Sequence, residues 1–129
     1  MVISEHEVSQ DILVERLVGR FDQSARQEFK WRIDLAINAG YRFVILNVTE
    51  VSFIDSAALG WLVLAQRRFT RIRGQLSLVA PHGFVRDILD LTEISEWIPV
   101  HASEGDALAT LQSLPAIDHS RATCPEGVE

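Results

Sequence analysis

The chain has one cysteine, one tyrosine, one methionine and no long apolar run. Cys124 has no second cysteine to pair with, which excludes an internal disulfide and a cysteine-based metal site. A lone cysteine also fits a reducing compartment. The longest apolar stretch, Ala57 to Ala65, ends at Gln66, Arg67 and Arg68, well short of the roughly 18 to 20 residues of a membrane span. The N-terminal MVISEHEVSQ has no basic segment followed by an apolar one, so no signal peptide is read there and a cytoplasmic location is expected. The four histidines, His6, His82, His101 and His119, are scattered, with none three or four residues from another, which argues against a zinc site.

Other absences bear on function. A net charge of −6 over 129 residues disfavours nucleic acid as the partner. Arg67, Arg68, Arg71 and Arg73 do cluster, but at the end of a predicted helix, where they complement the negative end of its dipole. There is no G-x-S-x-G nucleophile elbow, no phosphate-binding G-x-x-x-x-G-K-[ST] loop, and no histidine in a stretch that pairs with a nucleophile. Asp22, Glu50 and Asp55 are an acidic set whose spacing matches no particular cation site. No catalytic residue, metal or tightly bound cofactor is expected, and the charge balance points to protein or small-molecule partners.

What is present is regular. MVISEHEV and ILVERLVG read as two extended segments turned by Ser9, Gln10 and Asp11. In the second, Ile12, Val14, Arg16 and Val18 alternate with Leu13, Glu15 and Leu17, a mixed pattern that does not choose a buried face. RFDQSARQEF then offers two helix caps: Ser24 with Gln27 is a capping box, and Asp22 is the alternative. Phe29, Ile33, Ala36 and Ile37, closed by Gly40, predict a helix of about four turns. Residues 41–48, YRFVILNV, predict a strand covered on both faces.

A second long helix is predicted from Ser56 to Arg73, ended by Gly74, with Ala58, Leu62, Ala65, Phe69 and Ile72 as its buried stripe. QLSLVA, 75–80, predicts a strand, and Pro81 and Gly83 precede a helix carrying Val85, Ile88 and Leu89. Trp97 to Val100 predicts a short strand and Ser103 to Leu114 a last helix. Residues 1–114 thus form one α/β domain: a mixed sheet whose first two strands are antiparallel, with helices packed on it. The polar residues 115–129 are expected to be a disordered tail.

In open α/β sheets, partners meet the carboxyl ends of strands, where loops turn into helices. Two such loops stand out, one with Asp22 and the other running from Thr49 to Ser56. Taken alone, Asp55-Ser56 reads as a helix cap: both residue types are favoured there, each contributing about 1 kcal/mol, and Ser56 is expected to cap the helix.

The larger pattern adds a second reading. LVGRFDQSARQEF, FVILNVTEVSFIDSAALGWLVL, GQLSLVAPHGFVRDIL and SEGDALATL, in this order and spacing, resemble a STAS domain, the fold of bacterial anti-sigma factor antagonists. The resemblance covers roughly residues 5 to 114. Its most specific part is Asp55-Ser56-Ala57-Ala58-Leu59-Gly60 against the family's D-S-[ST]-G-L-G, with Leu17, Gly19, Phe21 and Asp22 matching an L-x-G-x-L-D element in which Phe replaces Leu. The resemblance implies that Ser56 is phosphorylated by a serine kinase that is itself an anti-sigma factor or related switch protein, of the ATP-binding histidine-kinase-like fold. It implies that a PP2C-type phosphatase reverses the step, and that the nucleotide belongs to the partner. It further implies a docking surface of Asp22, Asp55, Ser56 and the exposed side of the helix that follows, Ala57, Gly60, Trp61 and Leu64. Similar domains also sit in lipid and anion transport assemblies, where the serine need not be an acceptor.

Ala57 and Ala58 depart from the family motif. They remove a second hydroxyl, which leaves Ser56 as the motif's sole acceptor, and they stiffen the first helical turn, since Ala is the best helix former and Gly among the worst. A phosphate at Ser56 would carry about −1.5 to −2 charges, tolerated by the helix N-terminus yet repelling a partner that binds the bare acidic surface closely.

Overall fold

The computed structural model describes residues 1–79 and 81–112; Leu114 and the expected tail lie outside the described residues. Five strands form one sheet in the order β1-β2-β3-β4-β5. β1 (Val2–Glu7) and β2 (Ile12–Phe21) pair antiparallel, and β3 (Phe43–Ile54), β4 (Gln75–Val79) and β5 (Val100–His101) follow in parallel. The helices α1 (Arg26–Asn38), α2 (Ser56–Arg71), α3 (Gly83–Leu91) and α4 (Glu104–Gln112) connect or follow the parallel strands.

Both faces of the sheet are covered, which explains the mixed pattern of β2. Leu13, Leu17 and Phe21 face the core shared with α1, α2 and α3, together with Phe29, Ile33, Leu62 and Phe69. Ile12 and Val14 face the opposite side and pack with Ile45, Val79 and the α4 residues Ala107 and Leu111. Phe21 and Phe69 are wholly buried, each contributing roughly 2 to 3 kcal/mol of transfer free energy. Along α2 the expected stripe is buried from Ala58 through Leu62, Ala65 and Phe69; Ile72, half-buried, is the C-cap.

Several expectations need correction. β3 does not stop at Val48; it runs on to Ile54, because β2 continues beside it through Val18↔Glu50, Gly19↔Val51 and Phe21↔Ile54. Two register shifts make this pairing possible, with Gly19 between them at φ +111°. The 49–54 segment is therefore an extension of the strand past the end of β4, not a loop. The Ser24–Gln27 capping box does not form. Asp22 instead caps a short 3-10 turn at Gln23–Ala25, accepting the Ser24 amide at 3.0 Å and its hydroxyl at 2.6 Å, and α1 starts only at Arg26. α2 closes through Arg73 in the left-handed region (φ 62°), and Gly74 is required because a Cβ there would lie 1.8 Å from the Arg42 carbonyl oxygen. The strand expected at 97–100 is reduced to Val100–His101, since a 3-10 turn at Ile94–Glu96 drops Ile94 and Ile98 into the core and leaves Trp97 outside.

Two buried positions are polar, Ser77 and Glu15. Glu15, on the helix-covered face of β2, is fully buried, and neither carboxyl oxygen has a hydrogen-bond partner among the described residues. It lies across the strand pair from Glu5. Burial, and next the charge of Glu5, push its pKa up to about 7 against the opposing pull of Arg32. Arg32 is itself held elsewhere, donating to Glu5 at 3.1 Å and to the Ile3 carbonyl at 2.9 Å.

Candidate functional site

The register Phe21↔Ile54 brings the next residues of the two strands, Asp22 and Asp55, side by side at the carboxyl end of the sheet. The chain is stitched there by the Asp55 amide donating to the Phe21 carbonyl at 3.4 Å. From Asp55 the backbone turns directly into α2. Asp55, in an extended conformation, is the N-cap: its Oδ1 accepts the Ala58 amide at 2.8 Å.

This corrects the expectation that Ser56 caps the helix. Ser56 is the first helical residue and is exposed, and its hydroxyl makes no hydrogen bond among the described residues. The geometry gives the reason. A cap must precede the helix with extended backbone, and Asp55 occupies that position with the longer reach to the third amide. The Ser56 and Ala57 amides remain unused donors of the first turn, so the surface around the hydroxyl offers a positive dipole end and free N–H groups.

Ala57, Gly60 and Leu64 are exposed along the same helix, with Leu64 56% accessible, and together with Ser56 they make its outward side. Trp61 is half-buried. It leans on Phe21 with ring centroids 6.0 Å apart, and Phe21 in turn packs on Phe29 at 5.1 Å, so Trp61 joins the edge of the core. Of the two motif departures, only Ala57 lies on the surface. Ala58 is wholly buried, so its methyl packs inward and leaves the exposed face unchanged.

Asp22 is held firmly. Beyond the two bonds from Ser24 it accepts Arg20 Nε at 3.2 Å, and these bonds, Ser24's first, hold its carboxyl below the usual carboxylate range. Arg20 also stacks over the Phe53 ring at 4.1 Å, and Phe53 stacks on Phe84 of α3 with centroids 5.6 Å apart and planes 6° apart. His82, just before α3, bonds to the Thr49 carbonyl at 2.6 Å and ties that helix to the strand extension. Arg20, Phe53 and Phe84 thus form a stack at the end of β2 and β3, with Phe53 three residues before Ser56, that sequence reasoning did not assign to the site. Phe84 lies off the Val85, Ile88 and Leu89 stripe, which was a readable sign of exposure; its stacking on Phe53 depends on sheet order, which was not.

On the far side of β3, Arg16 forms a two-pronged pair with Glu104 at 2.9 and 3.0 Å, and Asn47 donates to the same carboxylate at 2.7 Å. The Arg16 bond chiefly, aided by Asn47, holds the Glu104 carboxyl below its ordinary range. Every carboxylate oxygen of this cluster is engaged in anchoring α4. Among the described residues no group of three or more His, Cys, Asp or Glu is arranged to hold a metal ion, and no helix is long and apolar enough to cross a membrane. The site offers an exposed hydroxyl, and among the described residues no side chain hydrogen-bonds to it as a base would.

The exposed serine on a helix that an aspartate caps, at the carboxyl end of a mixed five-stranded sheet, defines a class, and the chain belongs to it: the STAS domain family, whose model matches residues 4–107. Among its relatives is an anti-sigma F factor antagonist of Lysinibacillus sphaericus, 25% identical over 108 residues, 83% of this chain and 92% of that protein. The corresponding protein of Paenibacillus polymyxa is 23% identical over 84% of this chain and 93% of its own. In fold the chain is similar to the anti-sigma factor antagonist SpoIIAA in its unphosphorylated form, with a TM-score of 0.76 at 23% identity, covering 88% of this chain and 99% of that one. It is also similar to part of the murine anion transporter Slc26a9, with a TM-score of 0.70 at 18% identity, covering 84% of this chain but 19% of the transporter.

Proposed function

We propose that this protein is a phosphorylation-switched binding module of the anti-sigma factor antagonist type. With Ser56 bare it binds a serine kinase that is also an anti-sigma factor or related switch protein, with the nucleotide held by that partner. Phosphorylation of Ser56 releases the partner and a PP2C-type phosphatase restores binding. The observation that carries this reading is that Ser56 is exposed and its hydroxyl has no hydrogen-bond partner among the described residues, while Asp55 caps the helix. An acceptor must be reachable by a foreign active site and dispensable to its own fold, and Ser56 meets both conditions. The relatives named anti-sigma F factor antagonists, and the occurrence of SpoIIAA in both an unphosphorylated and a phosphorylated form, support it.

The switch acts through the interface. A phosphate on Ser56 would meet the unused Ser56 and Ala57 amides, so α2 keeps its structure. It would also enlarge the negative charge already set by Asp22 and Asp55, and a partner seated there would lose affinity through repulsion and desolvation. The docking surface comprises Asp22, Asp55, Ser56, Ala57, Gly60, Leu64 and the exposed edge of Trp61. The module works as a binding protein in the cytoplasm and carries out no chemistry of its own.

A second reading, a STAS subunit of a lipid or anion transport assembly, is favoured by the likeness to Slc26a9. Incubation with the cognate kinase and ATP, then phosphate-affinity electrophoresis of wild type and Ser56→Ala, separates the two. A shift in the wild type that is lost in Ser56→Ala is expected. An equal shift in both, or none in either, overturns the switch.

A further inference from the structure

The geometry points to a second docking site that adjoins the Ser56 surface and shares Trp61 and Leu64 with it: the groove between α1 and α2, which fits an amphipathic helix of a partner protein with glutamate or aspartate flanking an apolar stripe. The groove has a volume of about 430 Å³. Its floor is apolar, made by Phe29, Ile33 and Ala65, and Trp61 and Leu64 form its wall on the α2 side. The rim is cationic: Arg26 and Lys30 on α1 face Arg67, Arg68 and Arg71 on α2, and no acidic residue lines it. Five of the chain's twelve basic residues thus collect at one groove of a protein whose net charge is −6.

Four of these five cations have no internal ion pair among the described residues. Arg68 alone has an acidic partner among the described residues, Asp34 at 2.6 Å, and Arg26, Lys30, Arg67 and Arg71 have no carboxylate. Complementing the α2 dipole accounts for the arginines at its C-terminal end but not for Arg26 and Lys30, which stand at the N-terminal end of α1. The shape selects the occupant. The lining repeats at helical spacing on both walls, and from Trp61 to Arg71 α2 rises about 15 Å, close to three helical turns. A long channel with an apolar floor and charged edges is the helix-in-groove arrangement, in which i, i+3, i+4 and i+7 anchors enter the floor and the flanking charges meet the rim. The rim arginines would steer such a segment and fix its register. The α2 arginines of the rim lie about three turns or more along the helix from Ser56, so a charge at Ser56 should leave their attraction for the segment in place.

The test uses the full chain and a labelled helical peptide of about 14 residues with leucines at i, i+3, i+4 and i+7 and glutamates elsewhere, against a twin in which lysine replaces every glutamate. The glutamate peptide should bind, perturbing amide resonances over residues 26–33 and 61–71, and the lysine twin should not. Binding should fall at least about tenfold in Arg67→Glu/Arg71→Glu, whose exposed side chains leave the fold unchanged by circular dichroism, and again in wild type at about 1 M salt, where the screening length is about 3 Å. Ser56→Asp should bind the peptide like wild type, which separates this site from the proposed switch. Equal binding of both peptides, or shifts confined to Ser56–Gly60, overturns the proposal. So does binding to phosphatidylglycerol vesicles with no peptide binding, or charge-dependent self-association with none.

Discussion

Asp55 and Glu15 are both carboxylates beside the same sheet, yet their surroundings are opposite. Asp55 stands at the surface, past the end of β3, with the Ala58 amide donating to it. Its neighbour Asp22 is met in the same way by Ser24 and Arg20. Glu15 lies within β2, fully buried, opposite Glu5, and nothing donates to it. Negative charge at the first place is received by free amides and water, so more can be added without unfolding the chain. At the second it is desolvated, and it acts on stability instead.

The largest expected effect comes from the buried member. The folded pKa of Glu15 is raised from 4.5 to about 7, so the folded state holds its proton more tightly than the unfolded chain. The stability from that proton is fully present below about pH 4.5 and is lost as pH rises to about 7, by up to about 3 kcal/mol. Glu15→Gln keeps the shape and removes the titration. Urea unfolding of both proteins at pH 5 and pH 8 should show wild type losing this stability relative to the variant. Parallel pH dependence in the two would break the contrast.

Next comes the exposed member. Ser56→Asp places a charge where the α2 dipole favours it, and its folding stability should stay within about 0.5 kcal/mol of wild type. Affinity for the kinase partner should nevertheless fall about a hundredfold, equivalent to about 2.7 kcal/mol. Calorimetric titration against the unfolding curve measures both halves. A variant that binds normally, or one that unfolds, would show that charge at this edge does not act through the interface.

The two places also differ in how well the sequence disclosed them. YRFVILNV announced a buried strand and Asp55-Ser56 a helix start, and the stripe from Ala58 to Phe69 followed from spacing alone, but Thr49, Glu50 and Ser52 break the apolar run, so the strand's continuation to Ile54 read as a loop. Which of Asp55 and Ser56 caps the helix was not local in the same sense, since both are good caps and backbone geometry decides between them. Glu15 was hidden among the alternating residues of β2: it shares a face with Leu13 and Leu17 toward α1 and α2 while α4 buries the other face, so no face of the strand stands out as the polar one. The stack of Arg20, Phe53 and Phe84 needed the β2–β3 register, and the register shifts around Gly19 leave no plain mark on the sequence. The α1–α2 groove likewise joins residues 26–33 to residues 61–71, a juxtaposition that no sequence window contains.

Asp55→Ala tests the cap itself. Loss of the bond to the Ala58 amide should cost about 1 kcal/mol, seen as a lower urea midpoint with an unchanged slope. Asp55→Asn, which keeps an accepting oxygen, should recover most of it.

The smallest effect is the most discriminating. Ser56→Ala removes a hydroxyl with no hydrogen-bond partner among the described residues, at a position where alanine is at least as good a helix former as serine, so stability should change by less than about 0.5 kcal/mol and in the favourable direction if at all. If Ser56 shared the capping with Asp55, the same substitution would cost about 1 kcal/mol, as Asp55→Ala does. Measuring the two variants side by side therefore separates the residue that holds the helix from the residue offered to the partner. A serine that costs nothing to remove from the fold, yet whose loss abolishes phosphate incorporation, is held at that exposed position for its partner alone.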